Sequence, residues 1–464
     1  MEDTQKAELF EQAPIPKAVL TLAIPTILSS LVMVLYNLAD TYFVGMLQNP
    51  IQNSAVTLAA PVLLAFNAVN NLFGVGASSM MSRSLGAHDY DTVRKSSAIG
   101  FYCALASGVL FSLLVTLFRS QLLVVLGADA TTIDATAQYL FWTTSCGAAP
   151  AILNVVMAYM VRSEGASLHA SIGTMSGCIL NMILDPIFIL PWGLNMGAAG
   201  AGCATFISNC MACVYFFVLL FVKRGKTYIS LNPSLVPHSG RIILGICVVG
   251  VPAAIQNLLN VTGMTVLNNF TAAFKDTDAI AAMGIVQKVN MIPLQVTFGL
   301  SQGIMPLVSY NYASGNVKRM KDTLIFDIKI AAVFLIAVTT GYYVFAGGLV
   351  SLFMDNPAVV AYGARFLRGF CLCLPFLCLD FLAVGVFQAC GWGQYALLFA
   401  ILRKLVLEIP ALFILNYLFP LYGLAYAQPV AELVLAAAAV AMLVYLFRRM
   451  EREGAPLPVH TGKK

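Results

Sequence analysis

Charge is scarce in this chain. Only 10% of its residues are Asp, Glu, Lys or Arg, where soluble domains carry roughly a quarter. A water-facing fold cannot dispose of a composition that is 59% hydrophobic over 464 residues; lipid can cover it. The sequence therefore reads as an all-α membrane protein and excludes a soluble enzyme. Histidine is rarer still. His88, His169, His238 and His460 are the only four, and none stands at a spacing suited to a nucleophile–base pair or a metal. No GxxxxGK[ST] loop occurs, which argues against direct driving by ATP. A cleavable leader is not expected. Residues 1–17 mix Glu2, Asp3, Glu8 and Glu11 with Lys6 and Lys17, and the first apolar run is too long for a signal core. The net charge of +5 is too mild to suggest nucleic acid.

Cysteine is present, eleven in all, but nearly every one lies inside an apolar run. Cys371, Cys373 and Cys378 come closest to a cluster without forming a zinc pattern, so they read as small apolar packers.

A helical span needs about 20 mostly apolar residues. That length fits about twelve times: 18–47, 53–82, 96–121, 136–161, 166–190 and 197–222, then 242–270, 279–309, 324–350, 360–389, 394–418 and 421–447. With both termini cytoplasmic, the cytoplasmic loops hold Arg83, Arg94, Lys95, Arg162, Lys223, Arg224, Lys226, Arg241, Lys318, Arg319 and Lys321. The outer loops hold mainly Arg119 and Lys275. This bias places the chain in a cell (inner) membrane with a cytoplasmic linker at 223–241. The linker separates an N-terminal six-helix bundle, 1–230, from a C-terminal one, 231–464.

The halves repeat. At a shift of about 227 residues Pro25 falls on Pro252, Gly76 on Gly303, Tyr139-Leu140 on Phe366-Leu367, and the loop GAHDYDTVRK on ASGNVKRMK. Further on, at about 223, Asp185 falls on Glu408 and Gly200 on Gly423. Six helices per half make these parallel repeats, with a substrate path expected between them.

Carboxylates inside lipid are costly and mark function by default. Asp40 lies in LYNLADTYFVG, with Tyr36 and Asn37 one turn back on its face. Asp185 lies in ILNMILDPIFIL. Asn181 shares its face, and Pro186 frees a carbonyl one turn earlier. Carboxylate, amide oxygen and carbonyl suit a hard cation such as Na⁺ at Asp40, Asn181 and Asp185; a carboxyl held away from water can equally carry a proton. Asn154 and Thr205 add polar groups in the fourth and sixth spans. In the second half Asp380 and Glu408 are candidates for the central path. Arg403 and Lys404 are expected to snorkel, Lys404 or Lys288 to balance a carboxylate, and Glu432 to be structural.

Taken together, Pro25 with LYNLADTYFVG, SRSLGAHDYDTVRKS, RSEG at 162–165, NMILDPIFI and YASGNVKRMKD resemble the multidrug and toxic compound extrusion (MATE) transporters, in their bacterial drug-efflux branches. The resemblance covers about 18–448. It implies two six-helix bundles around a central cleft, and antiport of an amphipathic, often cationic compound against inward Na⁺ or H⁺. It implies a cation site at Asp40, Asn154, Asn181, Asp185 and Thr205, a helix bend at Pro25, and a site-lining role for Tyr139. Tyr36, Asn37, Tyr139, Gln256, Asp380 and Glu408 are assigned to the substrate path. One branch of the family pairs a Glu in span seven with an Asp in span ten. Here Asp380 stands for the Asp, but span seven offers only Gln256, Asn257 and Asn260. Coupling is therefore expected in the N-terminal half. No cofactor beyond the coupling ion is expected, and a monomer suffices. The alternative reading is a lipid-linked precursor flippase of the same wider superfamily.

Overall fold

A computed structural model describes residues 8–236 and 240–453. Glu2, Asp3, Lys6, His238 and His460 lie outside the described residues. Everything regular in them is helical. The spans are α1 (Ile15–Met46), α2 (Pro50–Gly86), α3 (Tyr90–Leu117), α4 (Ile133–Cys146 with Ala148–Ser163), α5 (Ser167–Ile189) and α6 (Ala198–Val222). The second half supplies α7 (Gly240–Ala273), α8 (Thr277–Ala313), α9 (Val317–Val344), α10 (Pro357–Ala389), α11 (Gly393–Ile401, Leu402–Glu408 and Ile409–Leu418) and α12 (Leu424–Glu453). Ten are long and apolar enough to cross a membrane by themselves. The eleventh, α4, turns by 49° at Gly147. The twelfth, α11, runs through a widened π-type turn at Leu402–Glu408. Each begins and ends within about seven residues of an expected span, but α11 does not qualify by length and composition, so up to eleven of the twelve expected spans are found among the described residues.

The internal repeat reaches down to single backbone turns. In the first half Asn49 and Asp89 cap helix starts with side chains that accept backbone N–H groups, and Asp129 does so in the turn before Ile133. Asp276, Asn316 and Asn356 do the same, each 227 residues later. Such caps satisfy donors that a helix start leaves open. Left-handed residues recur at the same spacing: Gln48 (φ 48°) with Lys275 (φ 54°), and His88 (φ 56°) with Gly315 (φ 77°). Side chains follow the same register. Ser82 of α2 donates to the Ser163 carbonyl at the end of α4, and Ser309 of α8 donates to the Ala389 carbonyl at the end of α10.

The halves meet where α1 packs along α8 and α2 along α7, with α2 and α8 crossing at the centre. Glycine permits the approach. A Cβ on Gly76 would stand 2.5 Å from the Ile246 carbonyl oxygen of α7, and one on Gly303 would stand 2.7 Å from Ala23 Cα of α1. These crossings lie toward the linker end, so the molecule is closed there. The N-terminal segment reinforces the closure. Phe10 is 1% exposed and stacks on Tyr310 at 4.8 Å. The Arg319 guanidinium donates to the carbonyls of Phe10 (2.6 Å), Leu9 (3.2 Å) and Ala13 (2.7 Å). Gly165, in the first half, leaves room for the Phe10 ring. On the same end Glu164 holds the linker, accepting from Thr227 Oγ1 at 2.8 Å and from the Tyr228 N–H at 2.7 Å.

Candidate functional site

The N-terminal half gathers its polar groups where α1 lies along α5 and α5 along α6. Asp185 is 0% exposed and Asn181 2%. The Asn181 amide orientation follows from its neighbours. With its nitrogen toward the carboxylate, it donates to Asp185 Oδ2 at 2.7 Å and Oδ1 at 3.1 Å. Its oxygen then accepts from the Thr205 hydroxyl and from the Thr205 N–H, each at 3.1 Å. The four-residue spacing puts amide and carboxylate on one face, and α6 supplies the hydroxyl that orients the amide. Tyr36 faces Thr205, and both Tyr36 and Tyr139 stand in the electrostatic field of Asp40 and Asp185. Asp40 acts directly on Asp185, and its Oδ1 is enclosed without a hydrogen-bond partner. An unpaired carboxylate oxygen at this depth is costly. It faces a second carboxylate rather than a base.

Among the described residues no three His, Cys, Asp or Glu side chains converge as metal ligands. Two carboxylates, an amide and a hydroxyl make instead a donor set for one monovalent cation or one proton.

Asn154 does not join this set by any hydrogen bond of its amide nitrogen. That nitrogen donates to the Pro150 carbonyl (2.8 Å), the Ala151 carbonyl (3.1 Å) and Asn209 Oδ1 (3.1 Å), tying α4 to α6. Asn37 is exposed on α1. Helix α1 runs unbroken through Pro25, close to the contact of Ala23 with Gly303. A cavity of about 410 Å³ lies elsewhere, lined by Arg119, Gln138, Phe141, Trp142 and Asn195 among others.

The C-terminal half solves the same burial problem with bases. Arg403 and Lys404 were expected to snorkel, but they are 5% and 7% exposed. The widened turn Leu402–Glu408 turns both inward. Arg403 bridges Asp380 of α10 (3.2 Å) and Glu432 of α12 (2.6 Å). Lys404 donates to both Glu408 oxygens, at 2.8 and 2.6 Å. Asp380 and Glu408 are thus ion-paired in this conformation, and Lys288 is exposed rather than their partner. Gln256 accepts from Gln388 at 3.2 Å, joining α7 to α10. Two polar residues escaped the sequence reading. Asn209 sits in an apolar span with no acid nearby to mark it. Asp327 is 2% exposed with an unpartnered Oδ1; the rule that flagged Asp40 applies to it, but Lys329 and the close span end masked the signal.

The MatE family model matches the chain twice, over 25–187 and 252–418. Each match begins on a proline that the repeat register pairs. The "Multidrug export protein MepA" of Staphylococcus aureus (strain MRSA252) is 34% identical over 440 residues, covering 95% of each chain. That of Staphylococcus haemolyticus (strain JCSC1435) is 34% identical over 453 residues, covering 97% of each. Among solved structures, "Outward-facing conformation of a multidrug resistance MATE family transporter of the MOP superfamily" superposes with a TM-score of 0.91. It is 25% identical and covers 97% of this chain and 99% of that one.

Proposed function

The chain belongs to the MatE family, and on that premise we propose that it is a secondary active antiporter exporting amphipathic, cationic drugs or toxic compounds in exchange for inward Na⁺ or H⁺. It is a multi-pass membrane transporter and not an enzyme. Its full-length relatives are multidrug exporters, and a lipid-linked precursor flippase is not favoured.

The observation that carries the coupling mechanism is the half-buried Asp40, with its enclosed Oδ1, near the fully buried Asp185, with no base paired to either among the described residues. Two like charges in a low-dielectric site repel unless a cation or proton joins them. An arriving cation would find the Asp40 Oδ1 unpartnered and one carboxylate capped only by an amide, which can rotate to present its oxygen. Neutralisation would let α1 move toward α5. Helix α1 also packs along α8 of the other half, so the movement reaches the closed interface, and Pro25, where a helix bends most readily, lies close to that contact. Ion binding drives the cycle only where one conformation binds it better. One charge moving through 100 mV supplies about 2.3 kcal/mol.

The orientation in this reading puts both termini and the linker in the cytoplasm, following the Lys and Arg bias. The end closed by these helix crossings is then the cytoplasmic one. A monomer in the cell membrane, without a cofactor, is sufficient, because both halves lie in one chain.

The test is efflux of a fluorescent cationic dye from proteoliposomes, with Na⁺ and pH gradients imposed separately. Efflux under one gradient, falling by about 5–150-fold in Asp185→Asn or Asp40→Asn, is expected from a coupling energy of roughly 1–3 kcal/mol. Unchanged gradient-driven efflux in the Asp40→Asn, Asp185→Asn double variant would overturn the coupling role.

A further inference from the structure

The register that sets Asp185 on Glu408 also sets Asn181 on Lys404. In α5 a neutral amide donates to the carboxylate four residues on, at 2.7 and 3.1 Å. In α11 an ammonium donates to the carboxylate four residues on, at 2.6 and 2.8 Å. Both carboxylates precede a proline closely, Pro186 and Pro410. The two sites differ in what the neighbouring helix brings. Opposite Asn181, α1 carries Tyr36 and Asp40. Their counterparts on α7 at a shift of 227 are Gly263 and Leu267. Gly263 leaves space, and Lys404 fills it: a Cβ there would stand 2.9 Å from Lys404 Cδ, 3.2 Å from Nζ and 3.3 Å from Glu408 Oε1. Leu267 removes the second carboxylate.

We propose that Lys404 is a tethered cation that permanently occupies the C-terminal counterpart of the N-terminal cation site, so that only the N-terminal half binds the coupling ion. This deepens the coupling reading given above and rests on it. The ammonium does for Glu408 what an exchangeable monovalent cation or proton does for Asp185. A fixed charge cannot leave, so the second half contributes no coupled ion and serves as a closed scaffold. The other charged groups around the pair are already committed: Arg403 to Asp380 of α10 and Glu432 of α12. Removing the ammonium therefore leaves Glu408 without a cation of its own.

Dicyclohexylcarbodiimide modifies protonated carboxyl groups inside membranes, and peptide mass spectrometry locates the adduct. In reconstituted wild-type protein Asp185 is expected to be modified and Glu408 not. In Lys404→Asn, which recreates the Asn–carboxylate pair of α5, Glu408 modification is expected to rise by at least about tenfold, with Lys404→Arg remaining like wild type. Glu408 modified in wild type as fast as in Lys404→Asn overturns the proposal, and so does an unmodified Glu408 in folded Lys404→Asn. If Lys404→Asn does not fold, wild type and Lys404→Arg decide it: an adduct on Glu408 in either one overturns it. Failure of Asp185 to react even in Na⁺-free acidic buffer, with Glu408 behaving as expected, would instead refute the coupling reading alone.

Discussion

The two halves share a backbone and differ in how they treat buried carboxylates. In the N-terminal half Asp40 and Asp185 face each other with an amide and hydroxyls around them and no base. In the C-terminal half Asp380, Glu432 and Glu408 are each held by Arg403 or Lys404. The difference teaches that a duplicated fold can keep the same cavity chemistry adjustable on one side and fixed on the other. A buried ion pair contributes little net stability, but breaking one is severe because a bare charge remains. A carboxylate pair awaiting a cation is the opposite case, since neutralising it removes a cost.

The comparison breaks most visibly at Arg403. Arg403→Leu leaves Asp380 and Glu432 unpaired, and a loss of about 3–5 kcal/mol is expected, read as a lowered thermal unfolding midpoint in detergent. Asp185→Asn should leave that midpoint unchanged or raised while it removes coupled efflux. If both substitutions destabilise alike, the two halves do not divide their roles in this way.

The interface offers a comparison in which the halves should behave equally. Gly76→Ala and Gly303→Ala each force a methyl into a helix crossing. Overpacking costs about 1–3 kcal/mol, offset by about 1 kcal/mol of better helix propensity. Both should weaken closure at the linker end to a similar degree, measured as faster alkylation of a cysteine placed at Ala23 or Ile246. A response from only one would show that the crossings are not equivalent.

The smallest effect concerns the loops at the end away from the linker. Asp129 accepts from the N–H and hydroxyl groups of Thr131 and Thr132. These bonds favour its charged form and hold its carboxyl down to about 2, against about 3.9 for a free Asp. A depressed value means that the turn's stabilisation is complete above the free value and is lost as pH falls through about 2. Its counterpart Asn356 caps with an uncharged amide. Amide exchange at Thr131 and Thr132 should therefore quicken between pH 4 and 2 by more than at Ala358 and Val359, and Asp129→Asn should abolish the contrast. No contrast would mean that the turn is held by backbone geometry alone.

Much of this was legible beforehand. Span length located the membrane helices, because every backbone polar group in lipid must be satisfied within its own segment. The repeat register was readable from paired prolines and glycines. Asp40, Asn181, Asp185 and Thr205 stood out because polar groups in an apolar run demand a reason. That the Asn154 amide nitrogen ties α4 to α6 was not legible, since a helix face shows direction and not which neighbour it meets.

What the sequence by itself determined is thus the membrane class, the two-half plan and the list of intramembrane carboxylates: these depend on composition and on periods along one chain. Only the tertiary structure decided which carboxylates are paired. Arg403 and Lys404 lie one residue apart, and sequence alone left both free to reach water while also offering Lys404 to Glu408; the widened turn Leu402–Glu408 turns them inward, and the missing side chain at Gly263 makes room for Lys404. Whether a buried acid is neutralised by the protein or left for an ion depends on distances between helices far apart in the chain, and no period along it encodes those.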